Sequence, residues 1–232
     1  MEQFKGFFDS PLLDPKAKTT TAGIVENGIR YTVDVENGQK TGFFLDQKFN
    51  RLAAAAIARN RHVLDCFTHT GAFALNAAKG GAASVTAVDI SQEAVDMTNE
   101  NIRNNLDIDV VKADVFDYLV KLDQEHNHDF DYIILDPPAF TKSGKTVHEA
   151  FRGYKEINYR AMKILPRGGY LATCSCSHFM GEELFVKMVK EAARDAGVTL
   201  RQIEFRQQAP DHPILMTVPE TYYLKFFLFQ IV

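Results

Sequence analysis

Four aspartates and one cysteine stand in this chain at points where buried strands should end, and each has neighbours that would hold it there. The clearest case is Tyr132-Ile133-Ile134-Leu135-Asp136-Pro137-Pro138-Ala139-Phe140. An unbroken apolar run reads as a strand covered on both faces. Two prolines then stop it. Proline fixes φ and has no N–H to donate, so Asp136 is held at the carboxyl end of the strand. Open α/β sheets bind their ligands just beyond that end. A carboxylate there, followed by the ring of Phe140, suits a pocket that grips a planar polar ring. From these residues alone, a strand ending in a plain Pro turn reads equally well.

Three further carboxylates end successive strands. The segment Asp65-Cys66-Phe67-Thr68-His69-Thr70-Gly71 closes one strand and opens a helix. Gly71 would let a ligand approach the backbone beside the positive helix N-terminus. Asp89 lies 24 residues after Asp65, close to the spacing at which an acidic residue hydrogen-bonds ribose hydroxyls. Asp114 ends a third strand and is placed to meet an adenine amino group. Neither G-x-G-x-x-G nor G-x-x-x-x-G-K-[ST] occurs in the chain, and a turn with one glycine behind an aspartate would receive a pyrophosphate poorly. A cationic adenosine cofactor fits better, because carboxylates balance the sulfonium and amino groups of S-adenosylmethionine. Taken singly, each aspartate also reads as an ordinary turn residue. Three in register argue for one nucleoside pocket.

The thiol comes from Tyr170-Leu171-Ala172-Thr173-Cys174-Ser175-Cys176-Ser177, which follows Arg167-Gly168-Gly169 and should lie beside the strand ending in Asp136. Alternate residues share a face, so Cys174 and Cys176 point the same way, with Cys176 nearer the opening. A thiolate there can act as a nucleophile. Burial as a small apolar residue is the other ordinary fate of a free cysteine. Position favours Cys176 as the reactive thiol over Cys174, and both stay open. Cys66 reads as packing. No second Cys or His pair has ligand spacing, so no metal site is expected.

These residues need a scaffold, and the pattern supplies one. Residues 1–20 read as a loosely ordered lead-in. Two Asn-Gly turns, at Asn27-Gly28 and Asn37-Gly38, then mark a small β-meander over 24–26, 29–35 and 41–44. From residue 46 helices and strands alternate. Strands are expected at 62–67, 84–90, 110–113, 132–135, 170–176, 200–205 and 222–229. Helices are expected at 47–59, 72–78, 91–105 (capped by Ser91), 115–124, 148–165 and 182–196. Repeated βα units build a seven-stranded, mostly parallel, doubly wound sheet. The loop 207–220 has no helical pattern, so the last strand should enter antiparallel. The division expected is 1–45 for lead-in and meander and 46–232 for the α/β domain.

Composition sets limits on function. A hydrophobic content of 46% and a charged content of 24% are those of a globular chain, and no apolar run approaches the ~20 residues that span a bilayer. The first residues show no basic region leading into an apolar core, so no signal peptide is expected. Three cysteines, two of them one residue apart, do not suit a disulfide framework, and a reduced cytoplasmic protein is expected. Net charge of −4 and a pI near 6.0 argue against nucleic-acid binding through the overall field. A local basic rim could be drawn from Lys40, Lys48, Arg51, Lys142, Lys145, Arg152 and Lys155. Scattered solvated charges are the alternative reading of the same residues.

Five motifs in series carry a resemblance: Gly42-Phe43-Phe44-Leu45-Asp46-Gln47, the Asp65 to Gly71 segment, Asp136-Pro137-Pro138-Ala139-Phe140, Gly153-Tyr154-Lys155-Glu156-Ile157-Asn158 and Cys174-Ser175-Cys176-Ser177. Arg206-Gln207-Gln208-Ala209-Pro210-Asp211-His212-Pro213 extends it. From about Gly23 onward the chain resembles the class I S-adenosylmethionine-dependent methyltransferases of the large-subunit (23S) rRNA cytosine-5 methyltransferase I group. Members of that group usually begin with a PUA-type RNA-binding domain, for which there is no room before Gly23. The resemblance implies a Rossmann-like fold and a methyltransferase that acts on ribosomal RNA, with Cys176 adding to carbon 6 of cytosine and Asp136 holding the base. It implies cofactor contacts from Phe44, Asp46, Asp65, Phe67, Thr68, Gly71, Asp89, Ile90, Asp114, Val115 and Asp136. Substrate contacts would come from Pro137, Phe140, Lys142, Arg152, Tyr154 and His212. The oligomeric state stays open, a homodimer among the options. Three rival readings remain: a methyltransferase directed at nitrogen, a small-molecule methyltransferase, and a non-catalytic RNA-binding protein with a relict pocket. The first favours an aromatic directly after the prolines, where this chain has Ala139.

Overall fold

The computed structural model describes residues 20–36, 38, 42–103, 108–141 and 143–232. Residues 1–19 of the expected lead-in therefore lie outside the described residues, as do Asn37, Lys40, Lys142 and the end of the third expected helix. Two strands, β1 (Thr21–Glu26) and β2 (Ile29–Asp34), pair antiparallel across the Asn27-Gly28 turn. The third meander strand does not form over residues 42–44. Gly42 takes a positive φ of 80°, and a Cβ there would lie 2.2 Å from the Asp34 carbonyl oxygen, so the chain doubles back instead of extending.

Helices and strands then alternate: α1 (Lys48–Ala56), β3 (His62–Cys66), α2 (Ala72–Lys79), β4 (Ser84–Asp89), α3 (Gln92–Arg103), β5 (Asp109–Lys112), α4 (Val115–Gln124), β6 (Tyr132–Leu135), α5 (Val147–Ile164), β7 (Tyr170–Ser175), α6 (Glu182–Ala196), β8 (Leu200–Arg206) and β9 (Lys225–Ile231). The sheet order is β5-β4-β3-β6-β7-β9-β8, and only β9 runs against the rest. This is the doubly wound sheet expected, closed by an antiparallel last strand. That strand starts at Lys225, later than expected, because Tyr222 and Tyr223 turn aside to bond Glu182 and Asp46.

Alternation along the central strands makes two cores. Leu64, Cys66, Ile133, Leu135 and Leu171 face α4, α5 and α6. Val63, Tyr132, Ile134, Ala172 and Cys174 face α1 and α2. Parity carries Asp65 and Asp136 onto this second face. A third cluster joins Tyr31, Val33 and Phe43 to Ala72 and Leu75 of α2, so the hairpin is packed onto the sheet's helical layer. Arg51 of α1 locks that junction: its Nε and Nη2 donate to the two carboxylate oxygens of Glu26 at 2.7 and 2.8 Å, and both residues are buried. Chain order reverses between β3 and β6. In such sheets that is where a crevice opens beyond the strand ends.

Candidate cofactor and thiol site

The loop after β3 is tightly wound. Phe67, His69 and Gly71 all have positive φ, at 64°, 53° and 77°, and the first two bear side chains. Such conformations cost of order 1–3 kcal/mol each and persist where the surroundings over-determine them. Here the ties are plain. Asp89 at the end of β4 accepts the His69 N–H at 3.0 Å, and the His69 carbonyl accepts the Thr98 hydroxyl at 2.9 Å. A Cβ on Gly71 would lie 2.9 Å from the Thr98 methyl. The glycine expected to admit a ligand thus serves the helix packing and the left-handed turn.

Asp65 ends β3 only 1% exposed. Its Oδ2 accepts the Thr68 hydroxyl at 2.7 Å and the Ala74 N–H, in the first turn of α2, at 3.0 Å. Its Oδ1 has no hydrogen-bond partner among the described residues. Burial, reinforced by the neighbouring Asp136 and Asp89 charges, raises its pKa to about 7. Asp89 accepts backbone N–H groups from His69 and Ser91 on its two oxygens, each of which keeps a second lone pair. Asp114 caps α4 by accepting the Phe116 N–H at 2.8 Å, and Val115 behind it is buried. Ile90 is 60% exposed at the end of β4, an apolar surface beside the carboxylates.

The segment before α1 reaches over this face. Phe44 sets its ring edge-on to His69 at 5.1 Å. Gln47 donates from Nε2 to Asp136 Oδ1 at 2.9 Å, and its own carbonyl oxygen accepts from Asn50. Asp46 accepts the Tyr223 hydroxyl at 2.7 Å, and its backbone carbonyl accepts the Ala209 N–H at 2.8 Å. Residues 44–47 therefore tie together the β3 loop, the end of β6 and the loop before β9. Burial, with the Asp46 charge nearby, raises the Asp136 carboxyl to about 6. Three acids, the buried Asp46 and Asp65 and the half-buried Asp136, lie in one region.

The two cysteines of β7 differ sharply. Cys174 is fully buried, and its thiol hydrogen-bonds Asp136 and Gln47. Burial first, and then the Asp136 charge, push that thiol well above its ordinary range. Cys176 lies beyond the last paired residue of β7 and is partly exposed, with its Sγ 3.9 Å from the Pro137 carbonyl oxygen. The thiol thus sits beside the Asp-Pro-Pro turn, one strand over from Asp136.

Several expected contacts are placed behind the site. Phe140 packs on Tyr154 at 4.6 Å and on Phe116 at 6.0 Å, and its ring lies 3.2 Å from where a Cβ on Gly153 would be. Tyr154 is fully buried and accepts from the Ser175 hydroxyl at 3.2 Å. Tyr154 is thus enclosed in the core, while Phe140 packs on it and stays half-buried. Thr68 is buried against Asp65, Phe67 packs edge-on to Phe140, and Pro137 is buried.

The basic rim is smaller than the sequence suggests. Arg51 is consumed by Glu26, and Lys155 pairs with Glu191 and Asp195 of α6. Lys48, Lys145 and Arg152 are exposed, while Lys40 and Lys142 lie outside the described residues. His212 is oriented by Asp211 at 3.1 Å in the loop that docks on Asp46. Among the described residues no group of acids, histidines and cysteines could hold a metal, and no helix is long and apolar enough to cross a membrane.

Gln47, Tyr223 and Lys225 were not singled out in the sequence. Gln47 had a signal, since it ends a quoted motif. Lys225 had a weaker one: it is the only charge in Tyr222-Tyr223-Leu224-Lys225-Phe226-Phe227-Leu228-Phe229.

Comparison with known proteins agrees with this arrangement. The profile of a family described as S-adenosylmethionine-dependent methyltransferase matches residues 14–230. The chain is 44% identical over 208 residues to Ribosomal RNA large subunit methyltransferase I of Salmonella paratyphi B, covering 88% of this chain and 51% of that protein. The Salmonella heidelberg protein of the same name gives the same figures. The chain spans about half the length of the curated relatives it matches. A solved Streptococcus mutans structure, described as a SAM-dependent methyltransferase, superposes with a TM-score of 0.81 at 28% identity, over 91% of this chain and 55% of its own. A second methyltransferase structure, complexed with SAH, superposes with the same TM-score and identity over 91% of this chain and 56% of its own.

Proposed function

This chain belongs to the S-adenosylmethionine-dependent methyltransferase family, and on that premise we propose that it methylates carbon 5 of a cytosine in large-subunit ribosomal RNA through a Cys176 adduct. The observation that carries the proposal is a partly exposed Cys176 thiol lying against the turn that fixes Asp136. The relatives' name supplies the RNA class.

The residues at the β3, β4 and β6 ends fit a cationic adenosine cofactor. Asp65 carries a buried oxygen with no partner among the described residues, and Asp136 and Asp46 add acidic charge to the same region. Asp89 keeps lone pairs for ribose hydroxyls and Asp114 ends the neighbouring strand. When bound, S-adenosylmethionine supplies an electrophilic methyl group.

The protein's own residues prepare the base to receive it. Carbon 5 of cytosine is a poor nucleophile. The Cys176 thiolate forms a bond to carbon 6, and the electron pair of the carbon 5–carbon 6 bond moves into the ring, making carbon 5 enamine-like. A carboxyl raised to about 6, as Asp136 is, can donate to the ring nitrogen where charge gathers. A base takes the carbon-5 proton of the methylated adduct, and the electron pair left behind restores the carbon 5–carbon 6 bond and expels the thiolate. The base must leave its stack to reach a site this recessed. Lys145 and Arg152 are exposed to meet its phosphates, and His212 lies on the opposite loop.

The test is methyl transfer to undermodified 23S rRNA, with digestion to nucleosides. The expected product is 5-methylcytidine. A methyl group on a ring or exocyclic nitrogen would replace this reading with a nitrogen-directed one.

A further inference from the structure

Lys225 opens β9, and it is fully buried. Its Nζ donates to the carbonyl oxygen of Ser177 and, at 2.9 Å, to that of Tyr223. Its Cα pairs in register with Ser175, so the side chain rises along the end of β7 toward the residues that carry Cys176. Among the described residues no carboxylate forms an ion pair with it, and a buried ammonium of that kind is costly. The charged and titratable groups facing it can be named. Cys176 comes from the turn after β7, Glu182 from the start of α6, and Tyr222 and Tyr223 from the approach to β9. Glu182 is occupied by the Tyr222 hydroxyl at 2.8 Å, and Tyr223 by Asp46. Tyr154 of α5 faces Ser175 from below.

We infer that Lys225 is the positioning residue for Cys176: its ammonium clamps the turn through the Ser177 carbonyl and lends its positive charge to the thiolate. The inference rests on Cys176 as the nucleophile, and it adds the group that makes that thiol reactive. Cations beside a cysteine favour its thiolate, the form that attacks. Burial lowers the lysine to about 8, and a charged Cys176 opposes that fall, so the two ionisations support each other. Lys225 acts through Cys176, and its own contacts are the Ser177 and Tyr223 carbonyls and the Tyr222 ring.

The experiment follows alkylation of Cys176 by iodoacetamide against pH, reading the Cys176 peptide by mass spectrometry in the full chain. Cys66 and Cys174 are buried and serve as internal silent controls. Lys225→Met is expected to slow alkylation near pH 7 by about tenfold and to match wild type at about pH 10, where both thiols are ionised. Lys225→Arg keeps the charge and should follow the wild-type profile. A loss that is equal at every pH would make Lys225 a structural clamp only and overturn the charge role. An unmoved profile in Lys225→Met, or a folded Lys225→Arg as slow as Lys225→Met near pH 7, would overturn it too. Because no RNA is present, failure of the cytosine chemistry appears separately, as wild-type alkylation without methylated product.

Discussion

The acids at the ends of β3 and β6 and the thiol and ammonium at the ends of β7 and β9 stand a strand or two apart, and burial acts on them to different ends. In the first region three carboxyls lie close together, and burial raises Asp65 to about 7 and Asp136 to about 6. In the second, an ammonium is kept dry but bonded to two carbonyls, beside a thiol that reaches solvent. A bound cation would relieve the charge crowding of the first region. The second holds its cation within the fold.

The largest effect expected falls on the thiol side. Cys176→Ala should lower methyl transfer by about 10³-fold or more while leaving cofactor affinity unchanged, as read by labelled methyl incorporation and by calorimetry. Cofactor affinity that falls along with activity would merge the two regions into one. Asp136 sits between them. Asp136→Asn keeps an acceptor for Gln47 but removes the titrating carboxyl, and a loss of about 10²-fold in turnover is expected, with the acid limb of the pH–rate profile altered.

The remaining predictions concern the acid cluster alone. Binding a cation favours ionised Asp65, whose carboxyl is raised to about 7, so a proton must leave as cofactor binds. Affinity should rise by on the order of tenfold or more from about pH 5.5 to about pH 8, with proton release seen as a buffer-dependent heat. Stability should run the other way. The folded pKa of Asp65 lies near 7, above the ordinary 3.8, so between those values the folded state holds more protons than the unfolded chain. This contribution is whole at low pH and is lost as pH rises through about 7. Asp65→Asn should flatten the pH dependence of denaturation and stabilise the cofactor-free protein at about pH 8 by on the order of 2–4 kcal/mol. A variant as pH-sensitive as wild type would show that Asp65 is ionised in the folded state throughout.

Much of this was legible in the sequence because it rests on local grammar. The run Tyr132–Leu135 ending in Asp-Pro-Pro announced both the strand and its terminal acid, and Asn27-Gly28 announced the hairpin. Two-residue alternation placed Cys174 below Cys176 on one face, and the differing exposure of the two follows from where β7 stops. Residues whose roles depend on distant partners were harder to read. Arg51 looked like part of a basic rim, yet Glu26, 25 residues away, takes the Nε–Nη2 edge of its guanidinium. Lys155 met two acids on α6 that no local pattern could reveal. Tyr154 and Phe140 belong to recurring motifs, and the motif alone did not say whether it keeps the rings for a ligand or for packing. Lys225 was hidden for the opposite reason: its partners are backbone carbonyls, which leave no mark in sequence.

The central claim is that Cys176 forms a bond to the target base, and a mechanism-trapping RNA tests it directly. Fluorine at carbon 5 of cytosine leaves no proton to remove after methyl transfer, so a cysteine adduct cannot resolve. Ribosomal RNA transcribed with 5-fluorocytidine, incubated with protein and S-adenosylmethionine and then digested, should yield a nucleotide-bearing peptide whose modified residue is Cys176, and Cys176→Ala should yield none. An adduct on Cys174, or methylated cytosine formed from ordinary RNA with no trapped peptide from the fluorinated one, would contradict the account.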